Sequence, residues 1–118
     1  MRLRDGADDH VVVWQWQSRS RRLRWALEAA VEFSKVRTAF GQPISQYQGI
    51  TFPLADSAMD LHAAHLMGIN AAMLLDAGQP AIKELSMTKA FSVQKGLTAV
   101  DQAIQTHGAM GFTNELGL

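Results

Sequence analysis

A chain of 118 residues, 47% apolar and 19% charged, suits one globular domain with a modest core and argues against global disorder. It has no cysteine, which excludes a disulfide framework, a thiolate metal site and a cysteine nucleophile. Formal net charge is zero but uneven: residues 1–37 carry eight Lys/Arg against five Asp/Glu, and residues 38–118 carry three against six.

The basic excess is mainly Arg19, Arg21, Arg22 and Arg24. Such a cluster is either a nucleic-acid footprint or, the reading adopted here, the solvated end of a helix; no nucleic-acid partner is expected. The N-terminus is charged where a secretory signal needs an apolar core, and no apolar run reaches the length of a membrane span. A soluble cytoplasmic protein with no membrane span is the expectation.

In chain order, residues 1–20 carry no helical periodicity. His10 to Trp16, HVVVWQW, is β-branched and aromatic, and reads as a short strand or an apolar patch seeking a partner. Residues 1–22 are therefore set apart as an atypical N-terminal segment, disordered or foreign, from a helical domain over 23–118.

A first helix is predicted from about Arg21 to Ala39. Leu23, Ala26, Leu27, Ala30 and Phe33 recur at three-and-four spacing, with Arg24, Glu28, Glu32 and Lys35 opposite. Arg37 continues the apolar stripe one turn beyond Phe33, an odd place for a charge that needs only water. A second helix is predicted from Ser45, with Ser45 and Gln48 forming a capping box. Ile50, Leu54, Ala58, Leu61, His65, Gly68, Ala72 and Leu75 make one stripe; Phe52, Ala55, Met59, Leu66, Ile69 and Met73 make another. Pro53 within it is expected to kink the helix, and Gly78 is placed for a left-handed cap.

The third helix should run from near Pro80 to about His107, with Ile82, Ala90, Val93, Leu97, Val100 and Ile104 buried, before Gly108 and Gly111 stop it. The picture is all-α: an up-and-down helical bundle with three long helices. The long helices have more apolar surface than three helices can cover, which argues for oligomerisation or partner segments.

Few side chains suggest chemistry by spacing alone. His62 and His65 share a helical face, but a zinc site needs a third ligand and none has helix spacing, so no metal site is expected. Ser86 and Lys89 have the Ser-x-x-Lys spacing of a nucleophile pair without its oxyanion elements. The turn at VRTAFGQPISQYQ, residues 36–48, is more suggestive. Arg37 can present a fixed fork to a phosphate, and the first amides of the next helix arrive at the same place. Phe40 offers an apolar wall. Ordinary helix punctuation stays open as the alternative, since helix ends carry Arg for dipole reasons.

The run Arg37-x-x-Phe40-Gly41-x-Pro43-Ile44-x-x-Tyr47-Gln48 resembles the R-x-x-F-G-x-P-I-x-x-F-Q pattern of the acyl-CoA dehydrogenase C-terminal domain. FPLADSAMDL, ELSMTKAFS and QAIQTHGAMGFTNE resemble three further elements of that family in the same order, over residues 26–118. The resemblance implies a helical bundle that forms dimers or tetramers, with FAD at the subunit interface. Arg37 would then contact the FAD pyrophosphate, with Phe40 and Gln48 near the adenosine half. Gln105, Gly108 and Gly111 would contact the flavin of a neighbouring subunit.

The family's reaction is α,β-dehydrogenation of acyl-CoA, with electrons passed to an electron-transfer flavoprotein. Its usual base is a Glu in a Y-E-G-T-like motif beyond the glycine element, and this sequence ends at Leu118 before such a motif. A minority of members place the base near the register of Val11, where no acid is placed convincingly. No catalytic residue is assigned, Ala109 replaces the second glycine of a Gly-Gly pair, and Phe33 replaces a frequent Tyr. The expectation is a flavin-binding and oligomerisation domain, truncated before the usual base and inactive alone. The alternative is a non-enzymatic helical oligomerisation module of the same descent.

Overall fold

The computed structural model of the chain describes residues 6–115 and 117, the side chains of residues 6–8, 11 and 12 excepted. Three long helices account for most of it: α1, Gly6–Val36; α2, Gln48–Asp76; and α3, Ile82–His107. Between α1 and α2 lies a two-stranded hairpin, β1 (Thr38–Ala39) and β2 (Gln42–Pro43), followed by a short 3-10 turn over Ile44–Gln46. A second 3-10 turn, Gly108–Phe112, follows α3. Reversal at each connection makes the bundle up-down-up, as expected, in a body 58 × 26 × 21 Å. Among the described residues no helix is long and apolar enough to cross a membrane.

α1 departs from its predicted limits at both ends. It begins at Gly6, so the backbone of residues 10–16 is helical, not a strand. β-branched and aromatic residues carry only a weak local preference, and burial against other helices overrides it. Trp16 is the residue that does this. Its side chain is buried, stacks on the His65 ring of α2 at a centroid distance of 5.6 Å, and lies directly over Gly68. A Cβ at Gly68 would stand 2.5 Å from the Trp16 ring. Glycine at 68 is thus the recess that lets an indole fit between two helices. The Trp16 indole N–H and His65 Nδ1 are buried with no hydrogen-bond partner.

The core has two centres. Near the end of α1, Ala26, Leu27 and Ala30 pack on Leu54 of α2 and Ala103 of α3. At the other end Val13 packs on Ala71, Ala81 and Leu85. Small residues dominate these seams, so the backbones approach closely; Gly96, for example, faces the Leu23 side chain. The buried line of α2 is Leu54, Ser57, Ala64, Gly68 and Ala71; it shares Leu54 and Gly68 with the first stripe read from sequence and is turned away from the second. The second stripe lies open, with Phe52, Met59, Leu66 and Met73 each more than half exposed.

The predicted buried face of α3 is also displaced. Leu85, Thr88, Gly96, Ala99, Ala103, Thr106 and His107 are buried, whereas Ile82, Ala90, Val93 and Leu97 are exposed. Periodicity finds large apolar residues, but here the contact seam is built from small ones, and Thr88 and Thr106 satisfy their hydroxyls on the carbonyls of Glu84 and Gln102.

α2 runs on through Pro53 and ends as predicted. Gly78 takes φ +69; its amide donates to the Leu75 carbonyl at 3.0 Å, and that of Gln79 to Leu74 at 2.8 Å. This is the left-handed glycine cap that satisfies the last carbonyls of a helix.

Candidate functional site at the hairpin end

The predicted capping box at Ser45 is not formed. Ser45 sits inside the Ile44–Gln46 turn, and α2 starts after Tyr47 with no side-chain cap. Arg37 likewise lies one residue beyond α1 rather than on a helical stripe, although its amide still donates to the Phe33 carbonyl at 2.9 Å. The cause of both differences is the hairpin. Thr38 pairs with Pro43 and Ala39 with Gln42, leaving Phe40 and Gly41 as a two-residue loop. Both loop residues have positive φ, 54° and 85°, as a type I′ turn requires.

Gly41 supplies that conformation freely, but Phe40 does not: a bulky residue at φ > 0 is an outlier that costs about 1–3 kcal/mol. Its ring is 98% exposed, so packing within the chain gives nothing back. The turn is held from below. The Tyr47 hydroxyl donates to the Ala39 carbonyl at 2.9 Å, and the Ile44 amide donates to the Arg37 carbonyl at 2.8 Å. Replacing Phe40 by Asn, which tolerates this region, is expected to stabilise the chain by about 1 kcal/mol. Calorimetry should then show a midpoint about 4 °C higher.

The Ile44–Arg37 bond also ties the residue after α1 to the turn that precedes α2. The first backbone bonds of α2 run from Ile50 and Thr51 to Tyr47, so the amides of Gln48 and Gly49 precede them without a backbone acceptor, as at any helix start. A free guanidinium, two free amides and an exposed aromatic ring therefore occupy one short stretch, residues 37–49. Arg37 has no ion-pair partner among the described residues. This donor set suits an anionic group beside a planar ring.

The second group of predicted residues reaches the same end of the molecule. The His107 ring packs on Phe33 of α1, centroids 4.5 Å apart, and its Nδ1 bonds the Ala103 carbonyl at 2.8 Å. Phe33 lies one turn before Arg37 and His107 directly precedes Gly108. So Arg37, Phe40, Gln48, Gln105, Gly108 and Gly111, spread over 75 positions of sequence, lie at one pole. All but Gly111 are exposed.

The two glycines are fixed for different local reasons. Gly108 caps α3 at φ 62°, ψ −135°, a region open essentially only to glycine, and a Cβ there would meet nothing. Gly111 is buried, and a Cβ would stand 2.5 Å from the Ile104 carbonyl oxygen. Sequence reading missed Tyr47 as the strut of the hairpin and His107 as the link between α1 and α3; both stand inside the motifs, where only their position marked them.

The remaining candidates stand apart. His62 is exposed and His65 is stacked on Trp16; among the described residues no group of three His, Asp or Glu is placed to hold a metal. Ser86 and Lys89 are both exposed on α3. The side chain at Val11 lies outside those described.

Comparison with known proteins fits this architecture. The sequence model for the acyl-CoA dehydrogenase C-terminal domain matches residues 16–118, beginning ten residues before the span of the four motifs. The probable acyl-CoA dehydrogenase YngJ of Bacillus subtilis (strain 168) is 43% identical over 93 residues, covering 79% of this chain and 24% of that protein. Butyryl-CoA dehydrogenase from Megasphaera elsdenii superposes with a TM-score of 0.86 at 29% identity, over 91% of this chain and 28% of the other. A structure of PigA with FAD and proline gives a TM-score of 0.85 at 28% identity, over 90% and 29%. The chain thus spans about a quarter of the length of the curated relatives it matches. It belongs to the acyl-CoA dehydrogenase family, of which it is the C-terminal domain.

Proposed function

We propose that this chain is the FAD-binding and subunit-assembly domain of an FAD-dependent acyl-CoA dehydrogenase, and that the dinucleotide lies across its hairpin pole. The observation that carries this reading is Phe40. An aromatic ring held at positive φ and wholly exposed is strain without an internal return, and a planar ligand stacked on it supplies one. Arg37 binds the pyrophosphate beside it, helped by the first amides of α2, and Gln48 extends the contact on the adenosine side. Gln105, Gly108 and Gly111 face the flavin of a neighbouring subunit, where a backbone without Cβ atoms gives close access. That PigA was solved with FAD, and that PigA and this chain share the fold, supports the assignment.

When bound, FAD supplies the hydride acceptor for α,β-dehydrogenation of an acyl thioester. This chain's contribution is to bind and orient it; no base is assigned to it. The open stripe on α2, from Phe52 to Met73, supports assembly into a homo-oligomer, since single chains rarely leave so continuous an apolar face in water. Acyl-CoA and an electron-transfer flavoprotein are the partners of the full-length enzyme on this reading.

Titration of the purified chain with FAD, followed by flavin absorbance and fluorescence, tests the reading. Arg37→Ala should weaken FAD roughly tenfold or more, the value of one or two hydrogen bonds to a charged group, with helicity unchanged. Phe40→Asn should weaken FAD as well while raising thermal stability. Equal affinity in the parent and Arg37→Ala chains, or a parent that takes up no FAD, sinks the proposal. Regular assembly without flavin would favour the non-enzymatic module instead.

A further inference from the structure

The tip of the hairpin stands clear of the rest of the chain. Phe40 is almost wholly exposed, and a Cβ on Gly41 would meet nothing within 4 Å. Among the described residues, one side-chain hydrogen bond reaches the two strands from outside: the Tyr47 hydroxyl donates to the Ala39 carbonyl at 2.9 Å. Tyr47 is itself firmly seated. Its amide donates to the Ile44 carbonyl at 3.1 Å, and its carbonyl accepts from the amides of Ile50 and Thr51 and from the Thr51 hydroxyl. The phenol is therefore delivered from the junction of the Ile44–Gln46 turn with α2. The carbonyl it holds governs Phe40. The Ala39 C=O and the Phe40 N–H are two ends of one planar peptide unit. Rotating that plane by about half a turn would take Phe40 from φ 54° into the ordinary β region. A bulky side chain gains by that rotation, since positive φ is strained for it. Tyr47 fixes the oxygen and so opposes it.

We propose that Tyr47 is a positioning residue for the dinucleotide: by holding the Ala39 carbonyl it keeps the Phe40 ring turned for stacking before FAD arrives. This rests on the FAD site proposed for the same pole. The R-x-x-F-G-x-P-I-x-x-F-Q pattern carries Phe where Tyr47 stands, so the hydroxyl is a departure from the shared turn. One intramolecular hydrogen bond shifts a two-state loop by about three- to tenfold. Affinity then follows the fraction of chains whose loop is already competent. Tyr47 acts through Phe40 and does not touch the ligand.

The test compares the parent, Tyr47→Phe, Phe40→Asn and the double variant as purified chains. Without ligand, the NOE between the Phe40 amide and its own Hα, strong only at positive φ, should fall in Tyr47→Phe while circular dichroism is unchanged. Stopped-flow flavin fluorescence should then show FAD association slowed about three- to tenfold, with dissociation unchanged. A tyrosine that serves only the fold would lower the thermal midpoint and leave association alone. Asn tolerates the turn unaided, so the double variant should lose no more than about twofold beyond Phe40→Asn. Equal association in the parent and Tyr47→Phe chains, or an unchanged NOE, overturns the positioning role and leaves the FAD site standing. A full further loss in the double variant also overturns it, because Tyr47 would then meet the ligand directly. A parent that takes up no FAD sinks the site, and this role with it.

Discussion

Trp16→Ala is expected to lower the unfolding free energy by about 3–5 kcal/mol, the cost of removing a large buried aromatic side chain. Against a total of about 5–15 kcal/mol for a domain, that is about a fifth or more of the stability. The indole is buried, rests on the bare backbone of Gly68 and stacks on His65, so its removal leaves a gap that neither neighbour can fill. Denaturant unfolding followed by helical signal measures the loss. A companion measurement identifies the cause: Gly68→Leu should destabilise the parent, because the ring blocks it, but should recover part of the stability in the Trp16→Ala chain. Additive effects would refute the pairing. The result also decides whether residues 1–22 belong to the domain. A foreign leader can lose Trp16 without consequence; a helix that completes the core cannot.

Gly111→Ala is expected to cost about 1–3 kcal/mol, toward the upper end for overpacking. A Cβ would stand 2.5 Å from the Ile104 oxygen and 3.0 Å from its Cα. Those are backbone atoms in the last turns of α3, and they cannot swing away as a side chain could. Thermal unfolding checks the size. FAD titration well below the midpoint then separates two roles for the residue. If Gly111 serves only the helix end, the folded fraction binds FAD as tightly as the parent. If flavin also approaches it, affinity falls further than the unfolded fraction explains.

The helical class and the bundle were legible because Leu23, Ala26, Leu27, Ala30 and Phe33 keep a 3.6-residue period and Gly78 marks a helix end. The start of α1 was not legible: its residues favour extended structure locally, and the Gly68 recess that reverses that preference lies about 50 positions away. On α3, hydrophobicity pointed to Ile82, Val93 and Leu97, while the seam uses Ala99, Ala103 and Gly96, which periodicity scarcely weights. The site was legible as a motif and not as a shape. Residues Phe40-Gly41 lack the Asn or Asp that announces a type I′ turn, so the hairpin was hidden and Ser45 was read as a cap. That Gly108 lies at the same pole as Arg37 depends on the Phe33–His107 contact, which no local pattern encodes.

The glycine cap at Gly78 sits at the far pole of a rod 58 Å long, exposed and facing nothing. A fluorophore or an inserted tag there would report on the spreading of α2 from α3 while leaving the hairpin undisturbed, since exposed turn tips tolerate insertion. Any handle for immobilising or tracking this protein belongs at that pole.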